Sequence, residues 1–246
     1  MKENKVGDKR LLGSIHPAVI AVWAAVIAAS CMLPSIPLLG TGGTFSIATA
    51  LVPLAGVLFG PIGGAICAAI GGFIGQLIAP HIAWMGLATF SIGVINAFCS
   101  GLISRGKWPY AVGVLGIGTV LWFSTATGRA VPLFAIVFYG AGLLVTVVGG
   151  MFAKKWLLGK NIALKTVAVW ICSFAGLVGA ASIANYFALT MFQTPAEVWT
   201  VLTVMSPIER TIFAVGSAIV GVPLLVGLPK IGIFVGPQTV EVDDEE

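Results

Sequence analysis

The chain has 246 residues, of which 58% are hydrophobic and only 9% are charged, and its formal net charge is +4. A soluble domain usually carries about 25% charged residues, so this composition excludes a soluble globular protein. The four cysteines lie within apolar segments without CxxC spacing, which argues against disulfides and a metal site. We expect an all-α, polytopic membrane helical bundle with no metal and no cofactor.

Apolar segments follow one another along almost the whole chain. Crossing roughly 30 Å of hydrocarbon takes about 20 residues, and the continuous hydrophobicity excludes the alternating pattern of a membrane β-barrel. We therefore predict a single integral membrane domain over 1–246 with eight spans. The predicted spans are about 17–34, 45–60, 62–79, 83–104, 109–126, 131–153, 166–192 and 208–228.

The second and third spans are joined by the sequence FGPIGG, which leaves no room for a loop. Pro61 can begin a helix without losing a needed amide donor, and Gly60 and Gly64 allow close backbone approach. This predicts a tight helical hairpin. Gly71 and Gly75 further along form a small-residue face that permits close contact with another helix.

The distribution of basic residues predicts the orientation. If the N-terminus is inside, eleven of the thirteen Lys and Arg residues fall on inner segments, and only Arg129 and Arg210 fall outside. Basic residues near span ends resist translocation. We therefore expect a cytoplasmic N-terminal segment, 1–12, and a cytoplasmic acidic tail, 231–246.

Alanines repeat along the first span at three- and four-residue spacing. They form a smooth ridge that another helix can approach closely. The ridge fits packing within this chain as well as docking to a partner protein. Its residues are Ala18, Ala21, Ala25 and Ala28, widened by Ala24 and Ala29.

Two capping-box sequences, TPAE at 194–197 and SPIE at 206–209, follow the seventh span. In such a box the hydroxyl accepts from the first turn and the glutamate reaches back to the cap amide. The pattern predicts a short amphipathic surface helix over 195–205 and a new helix that begins at Ser206. Glu209 then has a structural role.

Arg210 has no such role, because a cation in the first turn of a helix opposes the helix dipole. It either pairs with Glu209 or Glu197, or binds a polar or anionic group of a solute. Arg129 either joins that site or reaches lipid headgroups.

Other polar and aromatic side chains are candidates for the same outer site. Asn185, Gln76 and Asn96 lie where an unpaired amide is costly, so each bonds either a solute or another helix. Trp84 falls near the outer side, where it either stacks on a ring or sits at the lipid interface.

Catalytic patterns are missing from the sequence. It has no HExxH, no nucleophile with a base at a recognisable spacing, and no nucleotide-binding loop. We expect a protein that is not an enzyme, does not bind nucleic acid, and contacts a small-molecule solute and membrane lipid.

Two stretches, LVPLAGVLFGPIGGAICAAIGGFIGQLIAP at 51–80 and NYFALTMFQTPAEVWTVLTVMSPIERTIFAVGSAIVGVPLLVGLPK at 185–230, carry a family resemblance. Together with the alanine-rich first span, they resemble the substrate-binding S component of an energy-coupling factor (ECF) transporter. The resemblance implies a solute-binding subunit of an ATP-driven importer for a vitamin-like micronutrient in a prokaryotic cell membrane. It also implies a transmembrane coupling protein and cytoplasmic ATPases as partners.

The resemblance assigns roles to particular residues. It implies that Ala21, Ala25 and Ala29 face the coupling protein, and that a loop over about 34–44 covers the solute. The implied solute pocket contains Arg210, Glu209 and Asn185. Such proteins usually have six helices, so the spans at 109–153 are a possible insertion, and a stand-alone secondary carrier or channel is the alternative.

Overall fold

The computed structural model describes residues 17–33, 36–37 and 44–237. Its described part is a bundle of helices, with two two-residue strands that pair antiparallel, Ile36–Pro37 with Thr44–Phe45. Short 3-10 turns lie at Pro80–Ile82, Gly86–Ala88 and Leu228–Ile231. The helices are α1 (Pro17–Ser30), α2 (Ala48–Ile78), α3 (Phe90–Ser104), α4 (Trp108–Ser124), α5 (Ala126–Ala130), α6 (Pro132–Leu158), α7 (Ile162–Phe192) and α8 (Ala196–Gly227).

Within the described part of the chain, five helical segments are long and apolar enough to cross a membrane, and they contain α2, α3, α6, α7 and α8. Helices α1 and α4 are shorter apolar helices. The predicted all-α membrane bundle is confirmed.

Helix α2 reverses direction at its middle. Gly60 has φ 77° and ψ −178°, which is not helical. A Cβ placed on Gly64 lies 2.5 Å from the Cα of Gly56, although residues eight apart in a straight helix are separated by about 12 Å. The predicted tight hairpin is therefore confirmed, with arms at 48–59 and 61–78. Counting the arms separately gives eight apolar helical segments.

Small residues set the distance between α1 and the second arm of α2. A Cβ on Gly71 falls 2.6 Å from the carbonyl oxygen of Ala24, and one on Gly75 falls 2.5 Å from the sulfur of Cys31. Only glycine allows this approach. The small-residue face predicted at Gly71 and Gly75 is confirmed, and α1 runs parallel to this arm.

These contacts define two ends of the bundle. The hydroxyl of Ser46 donates to the carbonyl of Ser30 at 3.2 Å, which joins the start of α2 to the end of α1. We call this the Ser30 end, and the opposite one, where α3 finishes, the Arg105 end. Chain direction alternates between the ends through all eight segments.

Arg105 packs beside the turn of the hairpin. Its Nη1 donates to the carbonyl of Val57 at 3.3 Å, and its guanidinium lies against Gly60. Burial lowers the pKa of Arg105 to about 10, so the group stays charged at neutral pH. The chain after α8 also returns to this end, where the amide of Gly236 donates to the carbonyl of Leu58 at 2.8 Å.

The predicted helix start at Ser206 is wrong. Helix α8 runs without interruption from Ala196 through Pro207, because a proline removes one amide donor but does not have to end a helix in a membrane bundle. Pro195 occupies the N-cap position, and the hydroxyl of Thr194 has no hydrogen-bond partner among the described residues. Neither capping box is formed.

The separate surface helix predicted over 195–205 is wrong for the same reason. The 32 residues of α8 rise about 48 Å, which exceeds the roughly 30 Å of hydrocarbon. The sequence break at 206–209 therefore marks a point within a long helix, and Trp199 is buried at 2% exposure.

The close contact inside the hairpin gives a stability prediction. Replacing Gly64 with Leu forces the arms apart and should destabilise the protein by about 1 to 3 kcal/mol. The matched control is Gly113→Leu, because nothing lies within 4 Å of a Cβ at Gly113. Thermal unfolding in detergent should show a lower Tm for Gly64→Leu alone, and equal Tm values would contradict the hairpin geometry.

Candidate functional site

A cavity lies at the Ser30 end, between α1, α2, α3, α7 and α8. Its volume of about 180 Å³ suits a small molecule and not a folded polypeptide segment. Part of one wall comes from Ala180, Ala184 and Ala188 on α7. Their four-residue spacing places these small side chains on one face of the helix, and this leaves room for the cavity.

Arg210 and Glu209 are the charged residues among those described that line the cavity. Nη1 of Arg210 lies 3.5 Å from Oε2 of Glu209. Arg210 is 7% exposed, and charges removed from water require partners. The pair leaves the cavity wall with no net charge, while it offers both donors and acceptors.

Among the described residues, three amide side chains line the cavity, and the oxygens of two of them accept hydrogen bonds within the protein. Gln76 donates from Nε2 to the carbonyl of Leu87 at 2.9 Å, and its Oε1 accepts from the amide of Phe90 at 3.1 Å. Oδ1 of Asn96 accepts from the hydroxyl of Ser100 at 3.4 Å. The two contacts of Gln76 hold the segment between α2 and α3 in place, whereas the contact of Asn96 lies within α3.

Asn185 differs from the other two amides. Its Nδ2 donates to the hydroxyl of Tyr139 at 3.1 Å. Its Oδ1 accepts no hydrogen bond from the described residues. This oxygen is therefore available to a solute at the cavity wall.

Two indole rings complete the wall. Trp84 lies in the segment between α2 and α3, and its ring centroid is 6.0 Å from that of Phe192. Trp199 lies on α8 and packs on Trp122, with ring centroids 4.7 Å apart. Aromatic faces beside a few polar groups are typical of small-molecule pockets.

The cavity brings together six of the seven candidate residues proposed from the sequence, namely Arg210, Glu209, Asn185, Trp84, Gln76 and Asn96. Arg129 lies apart from them. Its Nη1 donates to the carbonyls of Phe123 and Ser124 at 3.0 and 2.9 Å. It satisfies carbonyls at the end of α4, as basic residues at helix C-termini do.

Sequence reasoning missed the part that Ser206 plays in this site. Ser206 was interpreted as a helix cap, whereas it is a buried cavity-lining residue one turn before Arg210. In a continuous helix, residues four positions apart lie on the same face. Because α8 is continuous, the spacing of Ser206 and Arg210 predicts that both face the cavity.

The alanines of α1 divide into two faces. Ala24 and Ala28 are buried against the second arm of α2, so these two alanines of the ridge pack within this chain. Ala21, Ala25 and Ala29 are exposed. One face of α1 therefore packs within this chain, and the other is exposed, as docking to a partner protein would require.

Comparison with known proteins defines the class. The sequence profile of the ECF-type riboflavin transporter S component family matches residues 15–137, which is half of the chain. The chain belongs to this family. It is a multi-pass membrane protein of a family described as the S component of ECF-type riboflavin transporters.

An uncharacterised protein of Methanocaldococcus jannaschii is 23% identical to the chain over 181 residues. The similar region covers 74% of this chain and 61% of that protein, so the chain spans less than two thirds of its relative. No solved structure matches the chain.

Proposed function

We propose that the chain captures a vitamin-like micronutrient in the Ser30-end cavity and delivers it to an ATP-driven importer. The observation that carries this proposal is the convergence of Arg210, Glu209, Asn185 and Trp84 on one cavity. The role in transport rests on membership of the S component family. In this proposal the whole chain forms one membrane domain.

Riboflavin is the first solute to test. The family description names riboflavin, but the matched region ends at residue 137. Asn185, Glu209 and Arg210 lie beyond it, so the identity of the solute is part of the proposal. The cavity wall has no net charge and carries indole faces, which suits a neutral ring system with polar edges.

The Ser30 end faces outward in this proposal. Among the described residues, Arg129 and Arg210 lie towards that end, and seven basic residues lie towards the other, namely Arg105, Lys107, Lys154, Lys155, Lys160, Lys165 and Lys230. Cytoplasmic segments carry the excess of Lys and Arg. Both termini are then cytoplasmic, and the protein is in the cell membrane of a prokaryote.

Labelling from outside tests this orientation. In a variant in which all four cysteines are replaced by alanine, a cysteine at Thr127 should react with a membrane-impermeant maleimide on intact cells. A cysteine at Lys160 should react only after the cells are opened. The opposite labelling pattern would reject the proposed orientation.

Arg210 is expected to bind the solute directly. Arg210→Gln keeps donors but removes the charge, so a lost charge-assisted bond should weaken binding by roughly 1.5 to 3 kcal/mol. That corresponds to a Kd increase of about tenfold to more than a hundredfold. Isothermal titration of the purified protein with riboflavin measures it.

Arg129→Gln is the matched control for this experiment. It removes the same charge at the same end of the bundle, away from the cavity, and should leave Kd unchanged. Equal affinity in both variants, with the fold intact, would show that Arg210 only pairs with Glu209. Failure of the wild-type protein to bind riboflavin would remove riboflavin as the solute.

The exposed face formed by Ala21, Ala25 and Ala29 is proposed to dock on the transmembrane coupling protein. The face is smooth because its side chains end at Cβ, and close helix contact in lipid depends on such surfaces. The opposite face of α1 is already used against Gly71 and Gly75. The outward face is therefore free for another chain.

Replacing both Ala21 and Ala25 with Leu should abolish copurification of the coupling protein and ATPases while riboflavin affinity stays unchanged. The added side chains separate the helices without touching the cavity. Ala163→Leu, at an exposed position on α7, should preserve assembly. Intact assembly of the double variant would exclude this face as the docking site.

A further inference from the structure

Helices α4 and α6, which the sequence marked as a possible insertion, pack along the cavity-forming helix α7. Gly118 of α4 lies against Ser182, and Gly142 of α6 lies against Val178. Neither glycine has room for a larger side chain in this arrangement. The two helices are therefore fixed in register against the part of α7 that leads to Asn185.

Tyr139 of α6 reaches Asn185 from behind the cavity wall. Tyr139 is 3% exposed and is not a cavity-lining residue. It is the last residue of a π-helical turn, Ala135–Tyr139, and such turns are frequent at functional sites. Its hydroxyl engages Nδ2 of Asn185, so Oδ1 is left as the acceptor of that side chain.

Helices α4 and α6 also support Trp199, another residue of the cavity wall. Trp199 packs on Trp122 of α4 and Phe134 of α6, with ring centroids 4.7 and 5.1 Å apart and near-perpendicular planes. Edge-to-face pairs of this kind stabilise a fixed ring orientation. Trp122 and Phe134 are both fully buried, so this support is rigid.

We propose that α4 and α6 determine solute selectivity, and that Tyr139 is a positioning residue that presents Oδ1 of Asn185 to the solute. A solute that fits must then place an N–H or O–H donor opposite Asn185. This inference rests on the proposed function of the cavity. It adds that the solute must carry a hydrogen-bond donor on the side that faces Asn185.

A spectroscopic experiment tests the positioning without any solute. The full chain is labelled with ¹⁵N-asparagine, which gives four side-chain amides, Asn4, Asn96, Asn161 and Asn185. Asn185→Ala assigns the Asn185 signal by its loss. Tyr139→Phe should shift that signal and speed its exchange with water, while the Asn96 signal stays unchanged.

Riboflavin titration tests the consequence for binding at Asn185. Loss of the hydroxyl in Tyr139→Phe should raise Kd roughly threefold to tenfold, as expected for one neutral hydrogen bond. The same change made in the Asn185→Ala background should have no further effect, because the two residues act as a unit. Tyr110→Phe is the control, since Tyr110 is 69% exposed on α4.

The outcomes separate positioning from general stability and from the proposed function. An unchanged Asn185 signal in Tyr139→Phe overturns the inference. So does an equal loss of affinity with and without Asn185, because a purely structural role gives additive effects. If wild-type protein does not bind riboflavin but the Asn185 signal moves as expected, riboflavin fails as the solute and the positioning role stands.

Discussion

The arrangement of this bundle depends on backbone contact at glycine, above all at Gly56, Gly64 and Gly101. In lipid there is no hydrophobic driving force between helices, so close packing has to supply the attraction. Gly64 meets Gly56 across the hairpin, and Gly101 meets the turn at Pro61. These contacts bring the two arms of α2 and the end of α3 together near the Arg105 end, opposite the end that holds the cavity.

The long helices then give the cavity its chemistry. Helix α8 carries Arg210 near its middle, where the residue is 7% exposed. A buried charge is stable only beside an opposite charge or hydrogen-bond partners. Glu209 provides the opposite charge, with its Oε2 3.5 Å from Nη1 of Arg210. A solute that enters has to exchange hydrogen bonds with this pair without leaving either charge unpaired. Neutral polar solutes meet that condition most easily.

Local patterns in the sequence predicted the spans and the hairpin, because composition and glycine spacing act over short distances. They also predicted Arg210 as a site residue, partly because a cation opposes the dipole in the first turn of a helix, but α8 has no start at Ser206 and that part of the argument does not hold. The helix starts predicted from the capping boxes were wrong although Thr194 and Ser206 are followed by the residues that such a box requires. Packing of α8 against the bundle decides where the helix begins. The contact of Tyr139 with Asn185 joins residues 46 positions apart, and no local pattern contains it.

We propose that this chain binds solute but does not transport it alone. The most direct measurement is riboflavin uptake into proteoliposomes that contain the purified chain, with and without a coupling protein, its ATPases and ATP. We expect uptake only when the partners and ATP are present. Uptake by the chain alone, without ATP, would reject this proposal and identify a stand-alone carrier.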